Sequence, residues 1–383
     1  MLRHCWIIAG LTLVTGPGYG DSVNGYVQTN LTSDLPGLAA NQDPNLVNPW
    51  GLVAGPTTPF WTSDNGTGLA TIYPGSGKPA SLVVTIPAAP GSDSGDPNGI
   101  VFNTGSAAGN FAKSSFIFAN ESGSIAAWSG GATAVTEATG AAGSIYKGLA
   151  INTNGTMLYA ANFGKNQIDV FDGGFNPVTL ATTAFKDPNL PSGYAPFNVQ
   201  NIGGLLYVTY AATNGGRDET DGPGLGFVDV YDSNGTFQKR LVSQGALNAP
   251  WGLALAPATG FGTLSGDLLV GNFGDGAIDA YNQTSGKFES ALTDANGNPI
   301  MIPGLWGISF GNGSQGTSQD ALYFNAGIPT PGGSDVESHG LFGELTPAPE
   351  PGSMILLGGG LVVAAVARRT LHRRKRSASN LRA

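Results

Sequence analysis

The stretch WGLV at residues 50–53 decides how the rest of the chain is read, because it returns at even intervals. Trp251-Gly252-Leu253-Ala254 and Trp306-Gly307-Ile308-Ser309 repeat it closely. Asn98-Gly99-Ile100-Val101, Lys147-Gly148-Leu149-Ala150 and Phe197-Asn198-Val199 repeat it with changes. The second positions, 51, 99, 148, 198, 252 and 307, lie 48 to 55 residues apart. A unit of that length suits four short strands and their turns, and six such units imply a repeat architecture.

Outward from each copy the same order of segments follows. A second strand ends at or near an Asn: FWTSDNG at Asn65, FIFANESG at Asn120, LYAANFG at Asn162, LLVGNFG at Asn272 and LYFNAG at Asn325. The fourth unit has LYVTYAA, with Tyr210 at the matching place. A third strand comes next, as ATIYPG, IAAWSGG, IDVFDGG, VDVYDSNG, IDAYNQ and LFGEL. Aromatic and β-branched residues bounded by Gly, Asn and Asp are strand and hairpin chemistry.

A fourth strand is expected in five units, for example ASLVVTIP, PVTLATTAF and FQKRLVSQG. The sixth unit lacks one, whereas NGYVQTNLTSDL, Asn24 to Leu35, is a strand-like segment without a unit. Pairing Tyr26–Thr32 with Leu341–Leu345 closes the ring from both termini and accounts for every segment. The fold class is therefore all-β: a six-bladed β-propeller over residues 22–346, closed by the N-terminal strand, with a short C-terminal hydrophobic helix. Two consecutive sandwiches are the competing all-β reading, and the unit size and unpaired first strand speak against them.

The Trp-Gly, Tyr-hydrophobic-x-x-Asn and Ile-Asp-x-Tyr punctuation resembles that of NHL-repeat and related six-bladed propellers. LTSDLPGLAANQDPNLVNPWGL followed by FWTSDNGTG is similar to an uncharacterised bacterial family of exported propellers that carry PEP-CTERM tails. That resemblance implies a fold and an address, and no reaction.

The two ends differ in chemistry from the body. MLRHCWIIAGLTLVTGPGYG, residues 1–20, has a basic start, an apolar run and small residues near its end, the pattern of a secretory signal peptide. Cys5, the only cysteine, lies inside it, so the exported form has no thiol for disulfides, catalysis or zinc. At the other end, a linker at 347–353 holds Pro349-Glu350-Pro351, and residues 354–367 carry no charge. As a helix those 14 residues extend about 21 Å, short of the roughly 30 Å of a bilayer core. A basic cytoplasmic tail, 368–383, begins with Arg368 and Arg369.

This order resembles the PEP-CTERM sorting signal of Gram-negative bacteria. The resemblance implies an exosortase-type membrane protease as partner, a transient or retained anchor in the inner membrane, and delivery to the cell surface, outer envelope or an exopolysaccharide matrix.

Glycine and proline supply 60 and 25 of the 383 residues, which favours turns over long helices. Between Arg3 and Arg368 there are nine basic residues against all 26 acidic ones, a net charge of −17. Such a body repels nucleic acid and anionic surfaces. His339 is the only histidine outside the two terminal segments, so a Ser-His-Asp triad or a His-ligated metal centre is hard to build.

In a propeller, the start of strand one and the end of strand two emerge on one face near the axis. Trp50, Trp251 and Trp306 thus share the channel mouth with Asn65, Asn120, Asn162, Asn272 and Asn325, and Glu121 adjoins Asn120. Rings with amides suit a sugar, and carbonyl oxygens with Asp64 or Glu121 suit Ca²⁺, the one cofactor in question. The competing account is structural and is favoured: Asn caps turns and Trp fills gaps between blades. Asp169, Asp229 and Asp279 are expected to make repeated turn hydrogen bonds. Asp218, Glu219 and Asp221 in NGGRDETDGPG could hold a loose calcium, against a simpler reading as a solvated loop, and SDSGDPNG with Asp93 and Asp96 has the same standing.

Two functional expectations result. The favoured one is a non-enzymatic surface or matrix protein that binds envelope glycans. The alternative is a calcium-dependent lactonase-like or esterase-like hydrolase, for which Glu121, Asn162 and Asn272 should converge on one point.

Overall fold

The computed structural model describes residues 25–92 and 95–349. The leader, Asp93, residues 350–353, the apolar segment 354–367 and the basic tail lie outside the described residues. Among the described residues the regular elements are strands and short 3-10 turns, and no helix is long and apolar enough to cross a membrane.

Six antiparallel sheets stand in a ring as a six-bladed β-propeller. The first holds Pro49–Val53, Phe60–Asp64, Leu69–Tyr73 and the two-residue Val84–Thr85. The second holds Pro97–Phe102, Phe116–Asn120, Ser124–Trp128 and Val135–Thr139. The third has three strands, Tyr146–Ile151, Met157–Asn162 and Gln167–Asp172. The fourth contains Tyr194–Ile202, Leu205–Thr213, Gly226–Tyr231 and Phe237–Ser243, with Glu219–Thr220 added beside its second strand. The fifth contains Pro250–Leu255, Leu268–Asn272, Ile278–Tyr281 and Phe288–Ala291.

The sixth blade is assembled from both ends of the described chain. Leu305–Phe310, Leu322–Ala326 and Leu341–Pro347 are completed by Gly25–Ser33 on the outside. Tyr26 pairs with Pro347 and Ser33 with Leu341, antiparallel, with a register shift between Asn30 and Thr32. The Tyr26 side chain, buried, donates to the Phe261 carbonyl at 3.0 Å and so ties the closing strand to the fifth blade as well. Closure removes the open edge that an unpaired terminal strand would leave.

One expected strand is absent. PVTLATTAF begins to pair, with Val178 N–H donating to Val170 O at 2.8 Å, and then leaves the sheet. Pro177 brings no N–H to the ladder. Phe185, at positive φ, is drawn away to bury its ring between Tyr159 and Tyr231, at 5.8 and 5.3 Å. ASLVVTIP pairs only over Val84–Thr85.

The inner strands contact one another in sequence around the ring, the sixth against the first. This close approach explains the glycine of the repeat. A Cβ at Gly252 would lie 2.6 Å from the Trp306 carbonyl oxygen, and one at Gly307 would lie 2.5 Å from that of Trp50. Where the fourth unit has Asn198, its amide instead donates to the Trp251 carbonyl at 2.7 Å and links two blades.

Candidate functional site

Every inner strand carries a register irregularity at its start, between Pro49 and Leu52, Pro97 and Ile100, Tyr146 and Gly148, Pro196 and Asn198, Pro250 and Gly252, and Leu305 and Ile308. A bulge re-aims the side chain beside it. Here it turns five residues inward, Trp50, Lys147, Phe197, Trp251 and Trp306, whereas the Asn98 amide donates to the Tyr146 carbonyl of the next blade at 2.7 Å. Trp50 of the first blade reaches Phe197 of the fourth, opposite it across the ring, which is possible only at the axis.

The rings pack on one another. Trp50 stacks on Trp306 at 3.4 Å between centroids, and Trp251 meets both edge-on at 5.9 Å. Phe273 stacks on the other side of Trp306 at 4.0 Å. Trp50, Trp251, Trp306 and Phe197 are all buried. The tryptophans are therefore at the predicted mouth, but they form a plug in place of an open aromatic ring. The Trp251 indole donates to the Lys147 carbonyl at 3.2 Å and that of Trp306 to Asn48 Oδ1 at 3.1 Å. Trp50 Nε1 has no partner among the described residues.

Lys147 sits where four of the other five units have an aromatic ring. It is 1% exposed, and its Nζ lies 4.8 Å from the Trp50 centroid, so a cation covers the plug. The ammonium pairs with Glu121, which also accepts from Arg217 Nη2 at 2.7 Å and Asn65 Nδ2 at 3.2 Å. Arg217 bridges to Asp96 at 2.6 Å. Asp218 and Glu219 lie 3.8 and 4.0 Å from the Lys147 ammonium. Asn48 donates to Glu337 at 3.1 Å and binds this carboxylate into the same roof. Two cations thus face five carboxylates.

Charge is distributed accordingly. Burial alone would raise the Glu121 carboxyl, but the Lys147 ammonium and the Arg217 guanidinium outweigh it and hold Glu121 below the usual carboxylate range. Burial would lower Lys147, yet Glu121 and Glu219 hold it above its ordinary value. Glu219 is pushed up to about 7, because burial dominates over the more distant Lys147. Burial also raises Glu337.

The strand-end amides are occupied separately. Asn162 donates to Ser144 Oγ at 2.9 Å and Asp169 Oδ2 at 2.7 Å, and accepts from Ile145 N–H. Asn272 donates to Asp279 at 2.9 Å and accepts from Asn248 N–H. Asn120 bonds Ser124 Oγ and the Pro87 carbonyl, and Asn325 the Gly51 carbonyl. Asp169 and Asp279 thus each accept from an Asn seven residues upstream on the neighbouring strand, Asp169 also from the Tyr146 hydroxyl and the Gln167 amide, instead of from turn backbone, while Asp229 pairs with Arg240.

Glu121, Asn162 and Asn272 are therefore each engaged by different partners. Glu121 is held by Lys147 and Arg217, and each Asn by its own blade. The loose calcium group of Asp218, Glu219 and Asp221, weighed above against a solvated loop, is not assembled among the described residues. Among the described residues no three His, Cys, Asp or Glu side chains are grouped to hold a metal. Asp218 and Glu219 turn to Lys147, and Asp221 does not join them as an ion-pair partner of that lysine. His339, the single histidine of the described body, contacts Asp34 at 2.5 Å beneath the closing strand.

Sequence reasoning missed Lys147 and Arg217. The available signal was a lysine in a column with four aromatic residues out of six, in a body with only nine basic side chains. Below the plug the throat between the inner strands narrows to a cavity of about 30 Å³, room for about one water.

Comparison with known proteins agrees with this architecture. Residues 347–374 match the PEP-CTERM protein-sorting motif, which indicates export and sorting to the cell envelope and is associated with exosortase processing. A streptogramin B lyase structure superposes with a TM-score of 0.50 at 11% identity, over 84% of this chain and 97% of that one, a likeness of fold alone. "Uncharacterized protein L690" of Acanthamoeba polyphaga mimivirus is 32% identical over 325 residues, 80% of this chain and 82% of the relative. "Uncharacterized protein R648" of the same virus is 33% identical over 301 residues, covering 73% of this chain and 72% of the relative. The chain therefore belongs to the family of these two proteins, and in this member the family fold is a six-bladed β-propeller with an envelope-sorting signal.

Proposed function

We propose that the protein is a non-enzymatic binding propeller of the bacterial envelope, held at the cell surface or in the extracellular matrix through glycans. The observation that carries this reading is Lys147. Its ammonium pairs with Glu121 over a sealed aromatic plug, so the chain itself supplies the cation at the channel mouth. A calcium-dependent lactonase-like or esterase-like hydrolase would need Glu121 released from two cations and Asn162 and Asn272 released from their own strands, and is the less supported reading.

The sorting motif supports the address. On this reading an exosortase-type protease acts at Pro349-Glu350-Pro351, the apolar segment 354–367 lies in the inner membrane before that cut, and Arg368 and Arg369 keep the tail cytoplasmic. The test is fractionation of producing cells together with a hydrolase assay on the recovered protein. Co-sedimentation with envelope polysaccharide, without calcium-dependent turnover of lactones or esters, is expected. Calcium-dependent turnover would overturn the reading.

A further inference from the structure

We infer that the face opposite the tryptophan plug holds a binding site for an uncharged saccharide. This rests on the glycan-binding reading above and gives it a location and a ligand class. Where the inner strands end, the disc opens into a funnel of about 830 Å³, within the size of small-molecule sites. Its walls include Val53, Ile100, Phe102 and Ile151, and its rim carries Gln200 and Asn201.

No Asp, Glu, Lys, Arg or His lines this funnel. A charged ligand would leave water there without a counter-charge, at a cost that burial makes large. Anions are further disfavoured by the acidic body. A molecule with apolar C–H faces and many hydroxyls meets both requirements: the walls take its faces and the amides its hydroxyls.

The site is also preformed. Asn201 donates to the Ile151 carbonyl at 2.8 Å, from fourth blade to third, and accepts from Gly204 N–H at 3.0 Å. Asn312 donates to the Gly55 and Thr58 carbonyls at 2.6 and 2.9 Å, from sixth blade to first. A rim stapled across blades loses little freedom when a ligand arrives. Gln200 is exposed and its amide makes no hydrogen bond to the described residues, which leaves it available.

The experiment uses protein recovered from producing cells and a panel of neutral oligosaccharides (gluco-, manno-, galacto- and chito-hexaose), with oligogalacturonate and an uncharged Gly-Ser peptide as rivals, read by calorimetry. The variants are Gln200→Ala, Thr104→Trp at the exposed rim, and Asp218→Asn on the opposite face. Saturable binding of a neutral sugar is expected, weakened about tenfold by Gln200→Ala through a lost hydrogen bond, abolished by Thr104→Trp and unchanged by Asp218→Asn. Binding that ignores both funnel variants, absence of binding across the sugar panel, or preference for the anionic sugar or the peptide would each overturn the inference. Co-sedimentation with envelope polysaccharide is measured on the same variants. Retention that persists in Thr104→Trp removes the funnel site and leaves the surface-binding reading, whereas loss of retention in the unaltered protein removes that reading itself.

Discussion

The two faces of the disc are built from the two ends of the same six inner strands, and their chemistry is opposite. At the starting end, bulges turn aromatic rings and Lys147 inward, and segments of the second, fourth and sixth blades add six further charged groups around that lysine. At the finishing end there is no bulge at the axis, the strands part, and the lining is uncharged. The difference teaches that the propeller closes its axis once, at one end, with its own side chains. The other end is left for a ligand.

The comparison breaks most severely at Lys147. Lys147→Ala leaves Glu121 buried with Arg217 as its one remaining cation, and breaking a buried pair costs about 3–5 kcal/mol. Denaturant unfolding should show that loss, and Glu121→Gln in the same chain should recover part of it. A loss below 1 kcal/mol would mean that the pair is exposed in solution.

Arg217→Ala should cost about 1 kcal/mol, since its side chain is half exposed and water screens the pairs it leaves. Hydrogen exchange of residues 214–225 should nevertheless rise, because the guanidinium holds that loop to Asp96 and Glu121. Unchanged exchange would contradict the roof.

A smaller effect is expected from pH. The Glu219 and Asp279 carboxyls, both pushed up to about 7 with burial the main cause, keep their protons in the fold when the unfolded chain has released them. Stability tied to these groups is complete below about pH 4 and is lost as pH rises through about 7. Glu121, held low, acts oppositely and destabilises the fold only on further acidification. The melting temperature should therefore peak near pH 5 and decline by a few degrees toward pH 8, and Glu219→Gln should flatten part of that decline. A rise between pH 5 and 8 would reverse the assignment. The smallest effect is expected at the funnel, where Gln200→Ala and Thr104→Trp should each change stability by less than about 0.5 kcal/mol.

The ring was legible in the sequence for a local reason. Gly252 and Gly307 must be glycine because a neighbouring carbonyl occupies the space of a Cβ, so the inner strands mark themselves at every turn. Closure was legible because Tyr26–Thr32 had no other partner. The missing fourth strand of the third blade was not, because what draws Phe185 off the sheet is a contact with Tyr231, 46 residues away. The plug was half legible. The columns of Trp and Asn gave the right face, but whether rings at an axis point at solvent or at each other depends on bulges that leave no mark beyond a preceding proline in four of the six strands.

The central claim is that Lys147 satisfies Glu121 and seals the channel mouth without a metal. Thermal unfolding of the unaltered protein in EDTA and in excess calcium tests it most directly. The same melting temperature in both is predicted. A melting temperature that rises with calcium, and no longer rises in Glu121→Gln, would contradict it.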